Sequence, residues 1–175
     1  MSQRLSLAEI NALDRDAFVA RLGFLFEGSP WIADLTWPAR PFRSADELHQ
    51  ALCATMFGAS VERQVALIRA HPDLAGKAAV AGALTPESTR EQSSAGLDRL
   101  TSAEYARFSR LNGAYRDAFG FPFVICAREH TKHSILESFE ARLRNDRPEE
   151  IAAALGEIAR IARLRLLDVL DETGG

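Results

Sequence analysis

Cysteine is scarce in this chain of 175 residues. Only Cys53 and Cys126 occur, each among apolar neighbours and in no paired spacing. That excludes a disulfide framework and a zinc-finger ligand set, and both thiols are expected to be buried. No apolar run reaches the length a bilayer requires, and the start Met1-Ser2-Gln3-Arg4-Leu5 lacks the long apolar segment of a secretory signal. The cytoplasm is therefore the expected residence, with no membrane partner. An excess of basic residues is also missing: Lys and Arg total 21 against 24 Asp and Glu, a net charge of -3. That balance argues against a nucleic-acid partner. The glycines fall in none of the phosphate-binding spacings. His130 and His133 lie close enough to share a ligand, but no Cys or acid cluster accompanies them, so no metal is expected.

What is present is helical periodicity. Hydrophobic residues make up 47% and charged residues 26%, which is enough apolar material for one globular domain of residues 1–171, with 172–175 as a frayed tail. Ser6-Leu7-Ala8-Glu9 and Ser44-Ala45-Asp46-Glu47 read as capping boxes, in which hydroxyl and acid satisfy opposite orphan amides, and Thr101-Ser102-Ala103-Glu104 caps a longer helix of about 102–118. Further helices are expected over about 15–26, from Ser29-Pro30 onward, 61–69, 86–94, 132–143 and 147–169 or 171. The prolines of Trp37-Pro38-Ala39-Arg40-Pro41 interrupt them, and the two Trp residues are expected to anchor that break. Gly120 ends the helix that begins at Ser102. The pattern predicts an all-α fold, a compact single-domain bundle of eight or nine helices.

The chemistry-bearing residues concentrate in His71-Pro72-Asp73-Leu74-Ala75-Gly76 and Glu87 to Leu97. Thr85 can cap a helix whose first position is Pro86, a residue with no amide to leave unbonded. On that helix Ser88, Glu91 and Gln92 are spaced three and four apart and share a face. The preceding loop would bring His71 toward it, and imidazole is well matched to proton transfer near neutrality. The ordinary alternative is a helix-end histidine and a solvated polar helix.

Phe121-Pro122-Phe123-Val124-Ile125-Cys126-Ala127-Arg128 reads as a buried extended connection, because no second β-rich run exists to pair with it. Its amides and carbonyls need partners, which a polar ligand, neighbouring loops or water could supply. On the last helix Ile151, Leu155, Ile158, Ala162, Arg165 and Val169 form one row. Arg165 is its only charged member, so a protein carboxylate or an anionic ligand must meet it.

His71-Pro72-Asp73-Leu74, Ser88 through Gln92 with Ala95-Gly96-Leu97, and Phe119-Gly120-Phe121-Pro122-Phe123 together resemble the 2-oxo-4-hydroxy-4-carboxy-5-ureidoimidazoline (OHCU) decarboxylases of the route from urate to allantoin. The likeness runs from Phe18 and Ser29-Pro30-Trp31 to Ile161-Ala162-Arg163-Leu164-Arg165-Leu166. It implies an all-α enzyme, homodimeric, with no metal or organic cofactor and a small ureidoimidazoline substrate. The resemblance makes His71 the catalytic histidine beside Pro72, with Glu91 as the catalytic glutamate that orients it or acts as base. It assigns Pro72, Ser88, Gln92 and Arg165 to substrate binding, and the connection carrying Phe119, Phe121, Phe123 and Ile125 to holding substrate through backbone groups. The substrate's own C=N bond accepts the electron pair that carbon dioxide leaves, so no borrowed electron sink is needed. Three other classes fit parts of the pattern: a ureide-binding sensor without turnover, a helical adaptor, and a small cyclic-amide hydrolase.

Overall fold

The computed structural model describes residues 3–171, and the tail expected at 172–175 lies outside them. The described residues are all-α. Their only β pairing is an isolated bridge between Leu5 and Leu170. Ten α-helices occur among them: α1 (Leu7–Ala12), α2 (Arg15–Leu22), α3 (Trp31–Thr36), α4 (Ala45–Phe57), α5 (Val61–Arg69), α6 (Lys77–Val80), α7 (Pro86–Ser94), α8 (Ser102–Phe119), α9 (Lys132–Arg142) and α10 (Arg147–Val169). The helix beyond the eight or nine expected is α6. It is a single turn whose cap, Gly76, makes no side-chain bond, so no capping signal announced it.

Contacts divide the chain into two units, Met1–Leu67 with Ala159–Gly175, and Ile68–Ile158. In the first unit, the Ser6 box forms as expected: the hydroxyl accepts from Glu9 N at 3.2 Å and Glu9 Oε2 accepts from Ser6 N at 2.8 Å. At Ser44 only half of the expected box forms. Its hydroxyl caps Glu47 N at 3.0 Å, but the Glu47 carboxylate takes Arg43 N at 2.6 Å, because the neighbouring guanidinium draws it there. The helix expected over 15–26 stops at Leu22, and Gly23–Leu25 tighten into a 3-10 turn. Trp37 anchors the proline-rich break: its indole donates to Leu13 O at 3.1 Å, and Arg40 lies 4.0 Å from the ring while bonding Asn11 O and Leu13 O. Ile10, Phe18, Leu48, Leu52 and Met56 are buried here.

The second unit is built around aromatic rings and one buried acid. Tyr115, Phe119, Phe121, Phe123 and Phe139 stack or meet edge to face, with Phe123 and Phe139 only 3.8 Å apart between centroids. Beside them Glu150 is 0% exposed. Its carboxylate accepts from Tyr115 Oη at 2.5 Å, Arg142 Nε at 2.8 Å and Asn145 Nδ2 at 2.9 Å. Burial raises the Tyr115 phenol above its usual range, and the Glu150 hydrogen bond adds to the shift. Arg142 also lies 4.3 Å from the Phe123 ring and donates to Val124 O at 2.6 Å, so this network fixes the connection after α8. At that connection Gly120 ends α8 in the left-handed region, φ 78°. The thermodynamic weight of the network follows from the rule that a buried charge stripped of its partner costs about 3–5 kcal/mol. Glu150→Ala, which leaves the Arg142 guanidinium uncompensated, is therefore expected to lower unfolding free energy by about that amount, as measured by urea denaturation.

Candidate active site

Helix α5 ends at Arg69, and the chain then leaves helical geometry. His71 is buried, and its amide donates to Ile68 O at 3.1 Å, so the last turn of α5 fixes the backbone where the imidazole begins. After Pro72 the loop turns sharply. Ala75 takes φ 50°, a left-handed conformation that costs a residue with a Cβ about 1–2 kcal/mol. At Gly76 an added Cβ would fall 2.7 Å from Asp73 Cβ, so the loop closes only with glycine there.

The helix α7 forms as its sequence signals require, with Thr85 Oγ1 accepting from Ser88 N at 3.2 Å and Pro86 in the first turn. Its polar face points inward rather than to water. Ser88 and Gln92 are buried and Glu91 is half-buried, whereas Thr89 and Arg90 are exposed. Gln92 is bound to the histidine loop at both ends of its amide. Its Oε1 accepts from Ala75 N at 3.0 Å, and its Nε2 donates to Asp73 O at 3.2 Å. Helix α8 adds two further contacts, which inspection of the sequence had not singled out. Asn112 Nδ2 donates to Leu74 O at 2.8 Å, and the Arg116 guanidinium meets Asp73 Oδ1 at 2.8 Å and 3.1 Å. A signal for Asn112 was present: it lies in the inward row with Phe108, Leu111 and Tyr115, where a polar residue needs a reason.

The connection after α8 is buried throughout Phe121–Ala127 and runs in neither helix nor strand up to Cys126, where the 3-10 turn Ala127–Glu129 takes over. Side chains satisfy part of the backbone at the end of α8 and along this connection. Arg147 donates to Phe119 O at 3.1 Å, Arg69 to Gly120 O at 3.0 Å, Arg142 to Val124 O at 2.6 Å, and Cys126 N donates to Glu157 Oε2 at 3.1 Å. Among the described residues, the backbone groups of Phe123 and Ile125 make no protein hydrogen bond. Helix α7 packs against the turn Ala127–Glu129 that closes this connection. Glu91 comes near enough for its charge to act on the Cys126 thiol. The second unit thus collects His71, Pro72, Ser88, Glu91, Gln92 and the Phe119–Ile125 connection.

Arg165 belongs to the first unit. It is 3% exposed, and its Nη1 donates to Glu27 Oε2 at 2.9 Å and to Phe24 O at 3.0 Å. The carboxylate that its buried position demanded is therefore Glu27, a residue the sequence reading did not single out. Its neighbours Arg160 and Arg163 are exposed, as their position off the apolar row implies. A cavity of about 580 Å³ opens among α6, α7 and the start of α8, lined by Ala75, Val80, Gln92, Leu97, Asp98 and Tyr105 among others. It touches the histidine loop at Ala75 but contains none of His71, Ser88 and Glu91. No group of three His, Cys, Asp or Glu among the described residues could hold a metal ion.

The sequence model of the OHCU decarboxylase family matches residues 11–167. The chain belongs to the OHCU decarboxylase family. It is 43% identical over 163 residues to the 2-oxo-4-hydroxy-4-carboxy-5-ureidoimidazoline decarboxylase of Halalkalicoccus jeotgali, covering 93% of this chain and 90% of that one. To the protein of the same name from Mus musculus it is 37% identical, covering 95% and 93%. A crystal structure of (S)-allantoin synthase superposes with TM-score 0.77 at 28% identity over 95% of this chain. The chain spans about half of that longer protein, 54% of its length. A crystal structure of OHCU decarboxylase in the presence of (S)-allantoin, 22% identical with TM-score 0.68, shares the fold over 89% of this chain and 97% of its own.

Within this family member the cysteines are placed as inert groups. Burial pushes the Cys126 thiol up to about 12, helped by the charges of Glu129, Glu157 and Glu91, and burial alone pushes Cys53 up to about 11. A raised thiol pKa means less nucleophilic thiolate at any pH below it. Neither cysteine should be alkylated by iodoacetamide at pH 8 while the protein is folded, and both should react in denaturant. Mass spectrometry of the intact protein checks this.

Proposed function

We propose that this chain catalyses the decarboxylation of OHCU to (S)-allantoin, without a cofactor, in urate breakdown, as a carbon-carbon lyase. The observation that carries the reading is the inward polar face of α7, whose Gln92 binds the backbone of the His71 loop at two points in a member of this family. A sensor or adaptor does not require that a histidine loop be held so tightly. Proton transfer does, since its efficiency depends on atoms kept within hydrogen-bond reach.

In this mechanism the substrate carboxylate and hydroxyl share C4, beside the C=N bond at C5. The C4–carboxylate bond breaks and carbon dioxide leaves. Its electron pair becomes a C4=C5 double bond, and the former C=N nitrogen takes up a proton from solvent. The resulting enol then loses its hydroxyl proton as C4 becomes a carbonyl and C5 gains a proton on one face. His71 exchanges the hydroxyl proton, and Glu91 steers the imidazole. Ser88 and the remaining Nε2 hydrogen of Gln92 hold the ring and ureido group. Backbone groups of Phe123 and Ile125, within the connection that starts at Phe119 and Phe121, bind the ring amides. Pro72 limits where the loop can carry His71. Arg165 is assigned to an anionic or carbonyl oxygen on family resemblance, with Glu27 keeping its guanidinium in place. The working form is a homodimer in the cytoplasm.

With freshly generated OHCU, His71→Asn is expected to lower kcat by about 10²–10⁴-fold, the usual worth of a positioned acid–base group, with unchanged far-ultraviolet circular dichroism. Near-normal turnover by a folded His71→Asn protein would overturn the role of the histidine. Product chirality is an independent check. In a coupled urate-oxidation assay the enzyme should give a circular dichroism spectrum matching that of authentic (S)-allantoin. Racemic allantoin appearing at the spontaneous rate would sink the reading, and tight ureide binding without turnover would favour a sensor.

A further inference from the structure

The imidazole of His71 sits on a loop, and its aim depends on the backbone of the residues that follow. Those residues have no helix or sheet to hold them. Side chains of α7 and α8 take that role at consecutive positions: Gln92 at Asp73 O and Ala75 N, Asn112 at Leu74 O, and Arg116 at the Asp73 carboxylate. Asn112 and Arg116 are four residues apart, on one face of α8, so a single rigid element grips two successive loop residues.

We propose that Asn112 and Arg116 are positioning residues for the decarboxylation, which set the aim of His71 by fixing Asp73 and Leu74 from α8. This inference rests on the proposed reaction. Two features separate it from simple structural support. The Arg116–Asp73 pair is exposed, 52% and 27% by side chain, and such pairs contribute little to stability. Their use is geometric, because three N–H bonds from α8 converge on two loop residues. Asn112 is buried with its Nδ2 engaged, yet its Oδ1 has no partner among the described residues. A half-satisfied buried amide is a poor device for stability alone. It is a good one for holding the Leu74 carbonyl at a fixed distance from α8.

The test uses the full chain carrying Arg116→Met, Arg116→Lys, Asp73→Asn, Asn112→Ala, or the Asp73→Asn/Arg116→Met pair. Turnover of fresh OHCU, thermal unfolding and the ¹³C–¹H resonance of the His71 ring are measured on each. Arg116→Met is expected to lower kcat roughly tenfold, and Asn112→Ala to lower it up to about a hundredfold, the range a misplaced reacting group produces. KM should stay within about twofold, since the lost interaction is made by the enzyme with itself. Arg116→Lys should recover most of the loss, and the double variant should be no slower than Arg116→Met, as two partners in one contact are not additive. The His71 resonance should move in Arg116→Met and Asn112→Ala and return in Arg116→Lys. Unchanged kcat in folded Arg116→Met and Asp73→Asn would overturn the proposal, as would losses that merely track the unfolded fraction. Should Asn112→Ala fail to fold, the two exposed-pair variants still decide. If the unaltered protein did not outpace spontaneous OHCU loss, the proposed function would fall. The His71 resonance would then still judge the α8 contacts, and an unmoved signal would refute them.

Discussion

Backbone groups that leave a helix inside a protein must find new partners, and this constraint shapes the region where the polar residues gather. Two segments of the second unit that carry buried residues are not helical: the loop after His71 and the connection over Phe121–Cys126. In an all-α chain no sheet is available to satisfy them. Side chains do so instead. Gln92 and Asn112 serve the loop, Arg142 and Glu157 serve the connection, and Arg147 and Arg69 serve the end of α8 from which it departs. The buried carboxylate of Glu150 belongs to the same scheme, because it neutralises the Arg142 guanidinium that reaches Val124 O. Polar residues on the surrounding helices are therefore spent on holding irregular backbone still, which is what a site for a small polar ring needs.

Helix boundaries were legible where a local signal sets them. Thr85-Pro86 opens α7, the Thr101 and Glu104 box opens α8, and Gly120 closes it in the left-handed region. These depend on residues three or four apart, so the sequence displays them directly. Gly23, which hands α2 over to a 3-10 turn, and the single turn of α6 carry no comparable signature. The connection expected over Phe121–Arg128 was recognisable as buried from composition, and as non-strand from the lack of any partner run, but Ala127 and Arg128 belong to a 3-10 turn and Arg128 is exposed.

The candidate site was legible in its residue types and only partly in its contacts. Ser88, Glu91 and Gln92 could be placed on one face by spacing alone, and the structure turns that face inward. What Gln92 touches could not be foreseen, because Asp73 and Ala75 meet it across 19 and 17 residues of sequence. Asn112 to Leu74 spans 38 residues and Arg116 to Asp73 spans 43. Likewise the demand of Arg165 for an acid was readable from its place in an apolar row, but Glu27 lies 138 residues earlier. Local spacing states a requirement, and only the folded chain names the residue that meets it.

Ala75 carries one more implication. Its left-handed backbone is tolerated because Gln92 grips its amide from α7, so the local misfit is outweighed by bonds formed elsewhere. Glycine, and to a lesser degree asparagine or aspartate, would relax the misfit at this position, whereas valine, isoleucine and threonine would aggravate it. Evolutionary drift at this one residue is thus channelled toward a short roster of side chains, chosen by dihedral angle rather than by any contact with a reacting molecule.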